Sequence, residues 1–98
     1  MSELLVLEFS TQDALEIYKR VSRMLDVDPA TGTGDWPPPL ESHVAGSSGD
    51  TLIVVEVWES REIQESFMQS RLGPALQEAN VPPPSRVEWF ALAGQKQG

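Results

Sequence analysis

Leu40-Glu41-Ser42-His43-Val44-Ala45-Gly46 and Thr51-Leu52-Ile53-Val54-Val55-Glu56-Val57-Trp58-Glu59 are the two segments whose reading decides the fold. They read as antiparallel strands joined by the turn Ser47-Ser48-Gly49-Asp50, a run of residues that favour tight reversals. The first strand alternates apolar and polar residues. The second is apolar at every position from Leu52 to Val55, and such a strand needs cover on both faces.

Outward from this hairpin, the pattern repeats as strand then helix. Leu4-Leu5-Val6-Leu7-Glu8-Phe9 is a second continuous apolar run, ending at Ser10-Thr11. Ser10 or Thr11 is expected to cap a helix, with Asp13 in its first turn. Ala14, Ile17, Tyr18, Val21, Met24 and Leu25 then recur at helical spacing, predicting an amphipathic helix to about Asp26. Beyond the hairpin, Ser60 is a good N-cap for another helix with Ile63, Phe67, Met68 and Leu72 inward. Gly73-Pro74 should break or kink it before a short continuation through Leu76 and Ala79. Asn80 to Pro84 is a stiff connector, and Arg86 to Leu92 is the last strand.

The order β-α-β-β-α-β predicts an α+β, ferredoxin-like domain, an antiparallel sheet with two helices on one face and with its first and third strands central. Two helices cover only one face of the sheet, so the apolar strands point to a second copy of the chain on the other. Residues 1–93 are expected to form the single domain and 94–98 a disordered tail. Between the first helix and the hairpin lies Val27 to Pro39, whose prolines and glycines argue against regular structure. Two readings of this long loop stay open: a lid over a site, or a packed surface loop plugged by Trp36.

Composition narrows the function. The chain has 98 residues, 40% of them apolar, and a net charge of −8 with no run of basic residues longer than two. A nucleic-acid or anionic-membrane partner would need clustered Lys and Arg. Absence of cysteine removes disulfides, thiolate catalysis and thiolate metal ligands. With one histidine and no Asp-rich loop, no metal site is expected. Thr31-Gly32-Thr33-Gly34 lacks the residues that complete a phosphate-binding loop, and no Gly-x-Ser-x-Gly places a serine nucleophile. No leader or membrane-spanning run is read, so the expected location is cytoplasmic.

The candidate site comes from pairing the hairpin. If Gly46 pairs with Thr51, alternation puts Leu40, Val44, Ile53, Val55 and Val57 on one face, suited to lie under the helices. The other face carries Glu41, His43, Ala45, Leu52, Val54, Glu56 and Trp58, and is expected to be the open side with any ligand cavity. On it His43 and Glu56 are diagonal neighbours, roughly 5–8 Å apart at the Cβ level. A carboxylate beside an imidazole fixes its tautomer, and the pair can shuttle a proton near neutral pH. His43 is then the general acid/base, Glu56 its orienter, Trp58 an aromatic wall, and Trp36, Val54 and Glu41 further ligand contacts. The competing reading is a satisfied polar pair at a subunit interface. Tyr18 reads as core or interface.

From Val54-Val55-Glu56-Val57-Trp58-Glu59-Ser60-Arg61-Glu62, with Phe67 and Arg71-Leu72-Gly73-Pro74-Ala75-Leu76, the chain resembles the small dimeric α/β-barrel proteins, among them the antibiotic-biosynthesis monooxygenases. The resemblance implies a homodimer with facing sheets and a cavity between sheet and helices or partner. It implies cofactor-independent oxidation, isomerisation or cyclisation of a small planar metabolite, with Trp58 and His43 the residues carried over. A haem-degrading branch has a histidine on the second helix, which this chain lacks. The rivals to an enzyme are a non-catalytic small-ligand-binding protein and a structural dimer anchored by Trp58 and Trp36.

Overall fold

The computed structural model describes residues 2–96. Strand β1 (Glu3–Ser10) leads into helix α1 (Ala14–Met24), followed by two short strands, β2 (Val27–Asp28) and β3 (Thr33–Gly34). The hairpin β4 (Leu40–Ser48) and β5 (Thr51–Trp58) comes next. A continuous helical stretch then runs through α2 (Arg61–Phe67), a π-helical turn (Met68–Leu72) and α3 (Gly73–Glu78), and β6 (Arg86–Ala91) closes the chain. The main sheet is antiparallel in the order β4-β5-β1-β6, so the two continuous apolar strands are central, as expected.

The hairpin is tighter than expected. Ser48 pairs with Thr51, leaving the two-residue loop Gly49-Asp50, with Gly49 at φ 60. Two-residue loops match the twist of the flanking strands when the first central residue has positive φ, and glycine adopts it without strain. The pairing is displaced by two residues from the expected register. A shift of two preserves parity, so His43, Ala45, Leu52, Val54, Glu56 and Trp58 still share a face, and His43 now stands directly opposite Glu56. A bulge between Leu40 and Ser42 ends that parity. It puts Leu40 opposite Trp58 and takes Glu41 out of the ladder.

The expected assignment of faces is reversed. The helices cover the His43–Glu56–Trp58 face, not the Val44–Val55 face. Leu5, Leu7 and Phe9 of β1 and Leu52, Val54 and Trp58 of β5 form one buried cluster with Ala14 and Val21 of α1 and Ala75 of α3. Both faces of β5 are apolar, so hydropathy did not choose between them. Side-chain volume did: Trp58, Phe9 and the leucines fill the deep space beneath the helices, where close packing is rewarded. The opposite face carries Leu4, Val6, Ile53 and Val55, half-buried, with Val44 and Phe90 exposed.

The helix ends show how the turns are locked. Neither Ser10 nor Thr11 caps α1. Asp13 is its N-cap in the left-handed region, and the hairpin tip completes the helix start, where Ala14 N–H donates to Gly49 O and Thr11 N–H to Asp50 O. Ser60 caps α2 as expected, its Oγ accepting from Ile63 N–H. On α2 the buried residue is Gln64, whereas Ile63 is 37% exposed. Pro74 has no N–H to continue the helical ladder, and the helix accommodates it by widening: Gly73 N–H reaches back to Met68 O. Asn80, in the left-handed region, then ends α3. Its N–H donates to Gln77 O and that of Val81 to Leu76 O, the paired closing bonds of a Schellman motif.

The loop after α1 is more ordered than its prolines and glycines suggest. β2 and β3 pair as a small ribbon, with Val27 opposite Gly34. Gly34 has φ 110, and a Cβ there would lie 2.4 Å from Asp26 O, so only glycine fits.

Candidate functional site

Between the sheet and the helices lies an apolar cavity of about 70 Å³. Leu7, Phe9, Leu52 and Val54 form its floor. α1 contributes Tyr18 and Val21, the second helical stretch Phe67 and Leu72, and the loop Trp36 and Pro37. The polar groups on this lining are few and converge: Tyr18, His43 and Glu56, with Ser22 nearby.

Those groups form one hydrogen-bonded chain. Glu56 Oε2 lies 2.7 Å from His43 Nδ1, His43 Nε2 lies 2.6 Å from Tyr18 Oη, and the Trp58 indole N–H donates to Glu56 Oε1 over 2.9 Å. Each element supplies a member for a local reason. β4 and β5 bring His43 and Glu56 opposite each other, Trp58 follows two residues along the same face of β5, and α1 presents Tyr18 on its apolar stripe.

The network assigns the tautomer. A carboxylate only accepts, so Nδ1 carries the hydrogen and Nε2 is the lone-pair nitrogen that accepts from Tyr18. Burial pushes the Tyr18 phenol up from 10.0 to about 12, and the Glu56 charge pushes the same way against a smaller opposing effect of Ser22. Tyr18 therefore keeps its hydroxyl proton well above neutral pH and can donate it to the neutral ring. Trp36 packs against the imidazole with ring centroids 5.0 Å apart, and its indole N–H is held by Thr33 O.

The candidate residues read from the sequence divide into two groups. His43, Glu56, Val54 and Trp36 all line the cavity. Trp58 does not line it. It is fully buried against Phe67 and turns its N–H to Glu56, so it supports the carboxylate where an aromatic wall was expected. Glu41, displaced by the bulge, lies on the outer surface, where its carboxylate accepts from Ser2 Oγ. The residue that sequence reasoning missed is Tyr18. The available signal was its place on the apolar stripe of α1; what was lacking was knowledge of which sheet face α1 covers.

The loop borders the cavity through Trp36 and Pro37 and is tied down from the far side. Arg71, in the π-helical turn, donates to Leu25 O and Asp35 O, pairs with Asp35 Oδ2 at 3.2 Å and lies over the Phe67 ring. Among the described residues, no group of three or more His, Cys, Asp or Glu is placed to hold a metal ion, and no helix is long and apolar enough to cross a membrane.

No protein-family model matches this chain, and no curated protein matches it in sequence. Solved structures do match it over nearly its whole length. A candidate antibiotic biosynthesis monooxygenase from Chloroflexus aurantiacus shares 12% identity at a TM-score of 0.65, over 99% of this chain and 98% of that one. A protein of unknown function from Nitrosomonas europaea shares 12% identity at a TM-score of 0.67, over 99% and 94%. A second candidate antibiotic biosynthesis monooxygenase, from Deinococcus radiodurans, shares 13% identity at a TM-score of 0.59, over 100% and 97%. These likenesses establish the fold, a ferredoxin-like α+β domain. At such identities they speak for architecture, and the chemistry has to be argued from the side chains.

Proposed function

We propose that the protein is a homodimeric small-molecule enzyme of the cofactor-independent oxygenase, isomerase or cyclase kind. The step these reactions share is removal of a proton from a planar, apolar substrate. The observation that carries this reading is the part-buried Glu56–His43–Tyr18 chain at the wall of an apolar cavity. A positioned imidazole whose far nitrogen is held by a carboxylate is suited to accept a proton and keep it. Glu56 stabilises the imidazolium that forms, and Trp58 and Trp36 hold the carboxylate and the ring in place.

Size adds a requirement. A cavity of about 70 Å³ is smaller than the roughly 150 Å³ known to admit benzene, so a ringed substrate enters only when the Trp36 loop moves outward. That loop is then a lid. The second copy sits on the opposite sheet face, where Val44, Val55 and Val6 run side by side across three strands. Such a stripe on both copies is self-complementary, as a two-fold interface requires.

The test is proton exchange. In D₂O under nitrogen, the wild type should exchange the benzylic C–H of 2-tetralone faster than buffer, and His43→Gln should lose about a hundredfold or more of that rate. Equal rates in the two proteins would overturn the reading. A non-catalytic ligand carrier is the second reading, favoured by the complete pairing of buried side-chain N and O atoms among the described residues. It is selected if 2-tetralone binds to the wild type without exchange.

A further inference from the structure

The phenol of Tyr18 engages the lone-pair nitrogen of His43, and both residues line the cavity. Both imidazole nitrogens are already engaged, Nδ1 by Glu56 and Nε2 by Tyr18, so no ligand reaches Nε2 without taking over the Tyr18 hydroxyl proton. The exchange that costs least gives Tyr18 a new acceptor at the moment Nε2 receives a new donor. A ligand that does both carries an oxygen acceptor and an acidic hydrogen side by side. The separation between Oη and Nε2 is 2.6 Å. Standard bond lengths put a carbonyl oxygen roughly 2.4 Å from its own α-carbon. A ketone with an acidic α-C–H thus spans the pair, its oxygen on Tyr18 and its C–H on His43.

We propose that Tyr18 is the second catalytic group of this site, and that the substrate is an enolisable, planar ketone whose carbonyl oxygen Tyr18 binds while His43 Nε2 takes the α-proton. The proposal rests on the proton-abstraction reading above and names its substrate class. In the step, the α-C–H bond breaks and its proton forms a new N–H bond at Nε2. The electron pair left behind becomes the enolate, whose oxygen accepts the Tyr18 hydrogen bond. The positive charge on the imidazole is met by Glu56. No electrons leave the system and no co-reactant is needed. Because the phenol titrates only near pH 12, it stays a donor throughout the range in which imidazole acts as a base. Most of the remaining lining is apolar, which strengthens a hydrogen bond aimed at a developing oxyanion.

The experiment measures exchange of 2-tetralone in D₂O by wild type, Tyr18→Phe and His43→Gln, with affinities for 2-naphthol and naphthalene measured by tryptophan emission. 2-Naphthol places a hydroxyl where the enol of 2-tetralone has its oxygen. Tyr18→Phe should lower kcat about a hundredfold with KM little changed, the pattern of a contact made chiefly in the transition state. The wild type should prefer 2-naphthol to naphthalene by about fivefold to tenfold, and Tyr18→Phe should lose that preference. Exchange by Tyr18→Phe at the wild-type rate overturns the role of Tyr18 and leaves proton abstraction by His43 standing. Equal exchange by wild type and His43→Gln takes down both. If Tyr18→Phe does not fold, the wild-type affinities decide, and equal binding of the two naphthalenes overturns the proposal.

Discussion

His43 and Glu56 face each other across the β4–β5 ladder, Nδ1 to Oε2 at 2.7 Å, and both side chains lie beneath the helices. Glu56 is 6% exposed, and its other oxygen is taken by the Trp58 indole N–H. A carboxylate buried this deeply is tolerated because each of its oxygens meets a donor. The direction of those two donors also dictates which imidazole nitrogen is left with a lone pair.

Glu56→Gln should therefore do more than remove a charge. If the amide oxygen stays on Trp58 N–H, the amide N–H₂ faces Nδ1, and the ring hydrogen must move to Nε2 and point at Tyr18. If it turns the other way, two donors meet at Trp58. We expect a loss of about 1–3 kcal/mol, read as a lower melting temperature, together with loss of 2-tetralone exchange. Full activity in Glu56→Gln would show that the carboxylate does not orient the base.

Tyr18 makes stability depend on alkaline pH. Its phenol titrates near 10.0 when unfolded and near 12 when folded, chiefly through burial. The folded state thus holds this proton more tightly. The stabilisation is complete below pH 10 and is lost as pH rises through about 12. Urea midpoints measured at pH 9.0, 10.0, 11.0 and 12.0 on the phenol scale should fall more steeply for the wild type than for Tyr18→Phe. Parallel curves would contradict the burial of the phenol.

Much of the architecture could be read from residue order. The continuous apolar runs at Leu4–Leu7 and Leu52–Val55 marked the central strands, and Ser60 and Gly73-Pro74 marked the second helical stretch. The sheet face was not legible. Ile53, Val55 and Val57 are as apolar as Leu52 and Val54, so alternation sorted the residues without saying which set the helices cover. His43 and Glu56 made their face look polar, although each satisfies the other. The loop ribbon escaped for a different reason: Gly34 disfavours a strand by propensity, yet the backbone approach to Asp26 requires it. Tyr18 was placed on the correct helix stripe and read as core or interface, because its hydroxyl partner lies 25 positions away in sequence.

Gly34→Ala tests the lid. Its backbone is left-handed, and the added methyl would collide with the Asp26 carbonyl. The β2–β3 ribbon should open at a cost of about 1–3 kcal/mol, releasing Trp36 from His43. A red shift of tryptophan emission with faster entry of 2-naphthol is expected. Unchanged emission and entry would mean that the loop does not gate the cavity.

Val55→Glu tests the assembly. Val55 is half-buried on the open sheet face, flanked by Val44 and Val6. A buried carboxylate on each copy at a shared interface would be unpaired and repulsive. Sedimentation should show a dimer for the wild type and a monomer for the variant, with helix and strand content retained. A monomeric wild type would remove the second copy from the account.

The central claim is that His43 presents a lone-pair Nε2 to whatever enters the cavity. The chain contains a single histidine, so ¹⁵N spectra of the imidazole ring report on this residue alone. We predict a protonated Nδ1 and an unprotonated Nε2 in the free protein, and a change at Nε2, with Nδ1 little affected, when 2-naphthol is added. A hydrogen on Nε2 in the free protein, or ring signals indifferent to the ligand, would contradict the account.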